Sequence, residues 1–268
     1  MTWSATELES AIRGIRAGSK KFLTNFFAPP AAWPAWIQRG LQVLARSERF
    51  LLMTRAEERC TRLFFAADQS CLGEMLAAAC KRAGTDPLVA DLVGQSRALG
   101  ELVQTFSDGG FEKYLRLLRL SRIGAFPFDG NASNELQTGA AALDDSATIL
   151  NLLREQFDIY TDQLPGEDEI RDVIPTGSIL GCRHSGQLVG FLWLETTGVT
   201  SMVRYWCADP RSGARGVGGA LMREYFERTK ASARHLLWVR ENNARALACY
   251  RHYGYQTDGL EDQLMVKR

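Results

Sequence analysis

A mixed α/β sheet arranged as two units is the fold class this sequence predicts, and three observations carry it. Late in the chain, apolar runs of strand length (SILGCRH, QLVGFLWLE, TSMVRYWCA, HLLWVRE and QLMVKR) alternate with amphipathic stretches of helical period. The two halves also echo each other. LFFAAD ends at Asp68 as RYWCAD ends at Asp209, and Phe106 precedes Gly110 as Tyr250 precedes Gly254. That is a weak internal repeat. Between the halves, residues 124–144 are rich in Gly, Ala, Asn and Ser with little periodicity, a linker composition. The expected division is therefore 1–123, a linker at 124–144, and 145–268.

Taken in order, residues 1–20 read as a helix with a charged face. The Phe/Pro/Trp-rich stretch 22–36 reads as a packed irregular crossover that either fills the core between the units or lines a cleft there. Residues 37–46 read as a short helix. RFLLMTR and TRLFFAA form a hairpin pattern. A helix follows from about Ser70, then a buried strand LVADLV, a helix closing at Gly109–Gly110, and the strand FEKYLRLLRLS. The second unit opens with a helix over ATILNLLREQFDIYTDQ and a short helix EDEIRDVI.

Composition narrows the function. A net charge of +1 gives no electrostatic footprint for nucleic acid. No apolar run is long enough to span a membrane, and the first 20 residues carry no apolar core of a secretory leader. A cytoplasmic setting is expected. The six cysteines form no CxxC and no Cys/His set with zinc-ligand spacing, so no metal is expected. Cys207 and Cys249 have no base nearby in sequence and read as packing residues. His184, His235 and His252 read as surface histidines, and Trp193, Trp206 and Trp238 as core.

The informative stretch is SGARGVGGALMREYFERTK, in which Gly213, Gly216, Gly218 and Gly219 precede an amphipathic run. Glycine costs backbone entropy and fills no core, so its concentration at a helix start implies close approach of something to the main chain. Helix N-termini offer unpaired N–H groups and a partial positive charge, which suits a phosphate. Two phosphate motifs fail here. A nucleoside-triphosphate loop needs Lys-Ser or Lys-Thr where Gly219-Ala220 stand, and a dinucleotide fingerprint needs glycine where Leu221 stands. A third form, Arg/Gln-x-x-Gly-x-Gly/Ala, finds its second half in Gly216-Val217-Gly218.

Through WCADPRSGARGVGGAL and NNARALACYRHYGY, the chain resembles the GNAT superfamily of N-acetyltransferases over roughly 145–268. Asn243, Ala246, Tyr250, Gly254 and Tyr255 fall in register with that family's second signature. The resemblance implies a catalytic second unit with acetyl-CoA, or another acyl-CoA, as co-substrate. It implies that the amides of Arg215, Gly216, Val217, Gly218, Gly219 and Ala220 hold the pyrophosphate, with Gly213 and Ala214 also at the cofactor site. The main chain of Trp206, Cys207 and Ala208 would pair with the pantetheine arm, Asn243 would contact that arm or frame its helix, and Tyr250 would protonate the leaving thiolate. The acceptor would be an amine of a small molecule or peptide, attacking directly in a ternary complex. A homodimer is compatible with this reading.

Two positions depart from the pattern. Gly213 stands where the motif has Arg or Gln, with Arg211 or Arg215 as nearby substitutes, and Met202 stands where many members carry a glutamate that acts as the base. Candidate bases elsewhere are Glu195 on the preceding strand, directly or through water, Asp209 and Glu241, and an amine that arrives neutral can give its proton to bulk water instead. A non-catalytic acyl-CoA sensor is the alternative that these departures suggest. The first unit has a single glycine, Gly73, at the matching helix start and Phe106 in the place of Tyr250, so it reads as a degenerate copy.

Overall fold

The computed structural model describes residues 3–82, 84, 86–124, 126–127 and 135–268. The expected linker thus lies partly outside the described residues. Two compact units form, Met1–Leu117 with Leu260–Arg268, and Leu118–Gly259.

The first unit contains α1 (Ala5–Gly18), β1 (Phe22–Thr24), α2 (Trp33–Gln38), β2 (Gln42–Arg46), β3 (Phe50–Ala56), β4 (Thr61–Asp68), α3 (Leu72–Arg82), β5 (Leu88–Gln95) and α4 (Ser96–Asp108). A capping box starts α1: Ser4 Oγ accepts from Glu7 N, while Ser4 N donates to Glu7 Oε2 at 2.7 Å. The sheet runs β2-β3-β4-β5. β3 and β4 pair antiparallel, as the hairpin pattern predicts, and β4 and β5 pair parallel. Alternation sends Leu51, Met53 and Phe64 to one face, under Leu8 and Ile15 of α1 and Trp33 of α2. Leu52, Leu63 and Phe65 go to the other, under Met75, Leu76, Leu99, Val103 and Phe106.

Two expectations fail in this unit. The stretch 37–46 is not a helix: Gly40 turns the chain at φ 89°, and Gln42–Arg46 forms β2 against β3. The stretch 22–36 is not wholly irregular. It supplies β1 and α2, and Phe26 and Trp33 are buried in the first unit's own core.

β6 (Glu112–Ile123) crosses from the first unit to the second. The second unit then contains β7 (Leu136–Ala140), α5 (Ser146–Gln156), α6 (Glu167–Val173), β8 (Ile179–His184), β9 (Gln187–Thr197), β10 (Thr200–Ala208), α7 (Val217–Arg228), β11 (Arg234–Arg240), α8 (Ala244–His252) and the start of β12 (Gln256–Lys267). Its sheet runs β11-β10-β9-β8-β7. Ile149, Leu153 and Ile170 of α5 and α6 cover Phe191, Trp193, Tyr205 and Cys207. Leu221, Met222 and Tyr225 of α7 cover Leu192, Val203, Leu237 and Val239 on the opposite face. β7 was expected as linker; it is an edge strand on β8. The first helix of this unit was expected to reach Gln163, yet α5 stops at Gln156 and the chain turns on Asp158, whose Oδ1 accepts from Tyr160 N and Thr161 N. From Leu260 to Lys267, β12 pairs antiparallel with β5 and belongs to the first compact unit.

His235 is not at the surface. It is fully buried, alternating with Leu237 and Val239 on the inner face of β11, with Nδ1 3.0 Å from Tyr225 Oη.

Candidate functional site

β10 and β11 part company. Their parallel ladder runs from Thr200↔Arg234 to Val203↔Leu237, yet both strands continue, to Ala208 and Arg240. On its other edge β10 stays paired with β9 as far as Ala208↔Gly190, with a register shift between Val203 and Tyr205. Such an irregularity bends a strand and increases its twist. The main chain of Arg204–Ala208 is therefore laddered to β9 and released from β11, and that edge suits an extended ligand.

Side chains beyond the split divide between the two faces. Trp206 and Ala208 join the α7/α8 cluster, while Tyr205 and Cys207 join the α5/α6 cluster. The Trp206 ring packs on Tyr250 of α8 with centroids 5.5 Å apart, and Tyr250 lies 6.0 Å from Tyr255. Tyr250 is half-buried, and burial, with the Asp162 carboxylate among its neighbours, pushes its phenol well above the ordinary tyrosine range. Burial pushes the Cys207 thiol up to about 12, so it carries no thiolate at neutral pH and packs, as expected.

Glycine builds the start of α7. Gly213 and Gly216 take left-handed φ of 67° and 79°, and Gly216 is the N-cap. A Cβ on Gly218 would stand 3.0 Å from Trp206 Cζ2, so the missing side chain lets the indole slide under the first turn. Gly190 of β9 is tighter: a Cβ there would stand 2.6 Å from Val217 Cγ1 and 2.8 Å from Cys207 O. The amides divide into used and open ones. Ala214 N donates to Ser212 Oγ at 3.3 Å, and Ala220 N donates to Gly216 O at 2.9 Å. Of the expected cofactor-site amides, those of Ala214 and Ala220 thus have acceptors within the chain. Val217, Gly218 and Gly219 precede the first helical bond, so their N–H groups have no acceptor within the helix.

The remaining candidates lie as follows. Asn243 caps α8, its Oδ1 accepting from Ala246 N at 3.0 Å, so its side chain frames the helix. Arg215 is exposed, and Arg211 is held by Asp209 and Glu155. Glu195 does not join the Trp206–Tyr250 group. Its Oε1 lies 3.1 Å from Arg204 Nη1, and Arg204 also meets Glu169 and stacks on Trp193 and Tyr205 of the α5/α6 face.

A residue that sequence reasoning passed over is Asp162. Tyr205 Oη donates to its carbonyl at 2.7 Å and to that of Gln163 at 2.9 Å. Arg240 Nη2 donates to Asp162 Oδ2 at 3.0 Å. Tyr205 and Arg240 stand on β10 and β11 beyond their parting, so both strands tie down the Asp158–Gln163 turn. Burial raises the Asp162 carboxyl, against hydrogen bonds from Asp158 N and Arg240 that lower it. The signal in the sequence was the Asp-x-x-Thr turn at Asp158, where an Asx cap competes with helix.

Residues 146–255, within the second unit, match the sequence model of the acetyltransferase (GNAT) family. The whole chain takes the fold of tandem GNAT proteins. A tandem GNAT protein from the clavulanic acid biosynthesis pathway superposes with TM-score 0.65 at 11% identity, covering 98% of this chain and 96% of that one. A GCN5-related N-acetyltransferase from Kribbella flavida gives TM-score 0.61 at 13% identity, covering 88% of this chain and 93% of that one. The N-alpha-acetyltransferase RimI of Mycobacterium tuberculosis is 34% identical over 90 residues, which is 32% of this chain. The match spans 56% of that relative's length. Among the described residues no group of His, Cys, Asp and Glu has metal-binding geometry, and no helix is long and apolar enough to cross a membrane.

Proposed function

We propose that the second unit moves an acetyl or other short acyl group from acyl-CoA to an amine, by direct attack in a ternary complex. The single observation that carries this is the coincidence of the β10 edge released at Arg204–Ala208 with the open amides of Val217, Gly218 and Gly219. Glycine lets the start of α7 pack this closely on the sheet: a Cβ on Gly190 would meet Val217 of its first turn, and one on Gly218 would meet Trp206 of β10.

Bound there, acyl-CoA supplies an activated thioester. The chain's own groups do the rest. Amides at the start of α7 hold the diphosphate, and the freed edge of β10 aligns the arm and offers N–H groups to the acyl carbonyl. The Tyr250 phenol, kept protonated by burial, gives its proton to the leaving sulfur. The amine arrives from the α5/α6 side. Its proton passes to Asp162, or through water to Glu195. Asp162 has the stronger support, because Arg240 and Tyr205 fix it to both parted strands. RimI's name makes α-amines of peptides the first acceptors to test.

Calorimetric titration with acetyl-CoA, followed by a free-thiol assay over a panel of amines, tests the reading. Binding with thiol release from at least one amine supports it. Binding with no release from any amine turns the domain into a sensor, and no binding removes the site altogether.

A further inference from the structure

The first unit repeats the parting of strands. β4 and β5 pair parallel only from Thr61↔Leu88 to Leu63↔Ala90, although β4 continues to Asp68 and β5 to Gln95. Beyond Leu63 the same strand edge is released that in the second unit begins at Arg204. The packing above it also repeats, with Phe65 against Phe106 at 5.9 Å where Trp206 meets Tyr250.

Here, however, the edge is covered. β3 takes one edge of β4, from Thr61 to Ala67, so β1 must lie along the other, with Phe22↔Asp68, Leu23↔Ala67 and Thr24↔Ala66. Gln69 N donates to Lys21 O at 2.9 Å, extending the ladder at one end. At the other end a side chain continues it. Asn25 Oδ1 accepts from Phe65 N at 2.7 Å and Asn25 Nδ2 donates to Leu63 O at 2.9 Å. The carboxamide thus presents the acceptor and donor of a peptide group at the point where β5 departs. Thr24 Oγ1 adds a bond to Phe65 O at 2.6 Å. Where β4 ends, Asp68 fastens the segment to the turn that follows. Asp68 accepts from Ser70 N at 3.1 Å, from Lys20 N at 2.8 Å and from Arg49 at 3.0 Å.

We infer that the first unit's coenzyme groove is a filled groove whose ligand is the chain's own segment Lys20–Asn25, so that acyl-CoA binds this chain once, in the second unit. The segment lies along β4 as an extended amide-bearing arm would. Phe26 and Trp33, just after the segment, are anchored in the core, so the segment is a fixed part of the fold. This rests on the reading of the second unit as an acyl-CoA site, and the experiment separates the two.

The test is hydrogen–deuterium exchange on the intact chain, measured on peptides covering 63–68 and 204–208, with and without coenzyme A, together with calorimetric stoichiometry. The expected result is slow exchange at 63–68 before any addition, no change there at saturation, protection gained at 204–208, and one coenzyme per chain. Asn25→Ala is expected to speed exchange of the Phe65 amide more than tenfold while the stoichiometry stays at one. Rapid exchange at 63–68 in the parent chain, protection there on adding coenzyme A, or two coenzymes per chain overturns the inference. Slow exchange at 63–68 with no protection at 204–208 leaves the filled groove standing and sinks the second-unit site instead.

Discussion

Gly190→Ala is a sharp probe of how the site is built. The added Cβ would meet Val217 Cγ1 at 2.6 Å, Cys207 O at 2.8 Å and Ala208 Cα at 3.1 Å. The first neighbour is the tip of a side chain that can turn. The other two are main chain of β10, held to β9 by the ladder at Cys207↔Phe191 and Ala208↔Gly190. Relief therefore requires the end of β10 and the first turn of α7 to back away together. Overpacking of this kind costs about 1–3 kcal/mol, and each kcal/mol lowers the melting temperature of a chain this size by about 2–4 °C. A loss of about 2–12 °C is expected by scanning fluorimetry. Because the displaced atoms belong to the proposed coenzyme site, acetyl-CoA affinity is expected to fall by about tenfold or more, the equivalent of about 1.4 kcal/mol. Adding Val217→Ala removes only the shortest of the three contacts, so the double variant recovers part of the stability and the two changes couple. A Gly190→Ala protein that melts with the parent and binds acetyl-CoA equally well refutes the claim that this glycine seats the helix start.

Single groups give the remaining expectations. Tyr250→Phe lowers turnover by about tenfold to a thousandfold with little change in coenzyme affinity, in steady-state kinetics and titration respectively. Since burial raises the phenol, the proton-donating form persists to higher pH, and the parent's rate shows no alkaline decline through the ordinary tyrosine range near pH 10. Asp262 is buried, with Oδ1 lacking a hydrogen-bond partner among the described residues, and burial and neighbouring Asp91 raise its carboxyl. The folded state therefore holds this proton more tightly than the unfolded chain does, and stability falls as pH rises above the ordinary carboxyl range. Asp262→Asn abolishes that loss, so in urea titrations its advantage over the parent widens from acid to neutral pH. Burial, with the Arg122 charge, lowers His235 from 6.5 to about 4. Its contribution is present above pH 6.5 and is lost as pH falls from there through about 4, and His235→Gln flattens the acid limb of the unfolding profile over that window.

The start of α7 was legible because glycine there has a local cause: two left-handed φ angles and an indole under the first turn. Gly190 has an equally firm cause that the sequence hides, since its neighbours are Val217 and the end of β10, distant along the chain. β7 was unreadable for a different reason. LQTGA shows no apolar alternation, and an edge strand is held mainly by its main-chain ladder. In the 37–46 stretch, Leu41, Val43 and Leu44 fit either period, and the turn at Gly40 decided for strand. The burial of His235 was readable and was missed, because HLLWVR puts it in step with Leu237 and Val239. Asp162 owes its place to Tyr205 and Arg240, two contacts that no local pattern announces.

The order of segments also sets a timetable for synthesis. β5 receives its partner Leu260–Lys267 only after the whole of Leu118–Gly259 has left the ribosome. At about 5–20 residues per second this is a wait on the order of ten seconds. Throughout it the nascent first unit shows an unpaired flank of Leu88–Gln95, the kind of template that recruits stray strands from neighbouring chains. Production of this protein should thus depend on chaperone supply more than its finished packing suggests, and a break anywhere before Leu260 would leave that flank permanently bare.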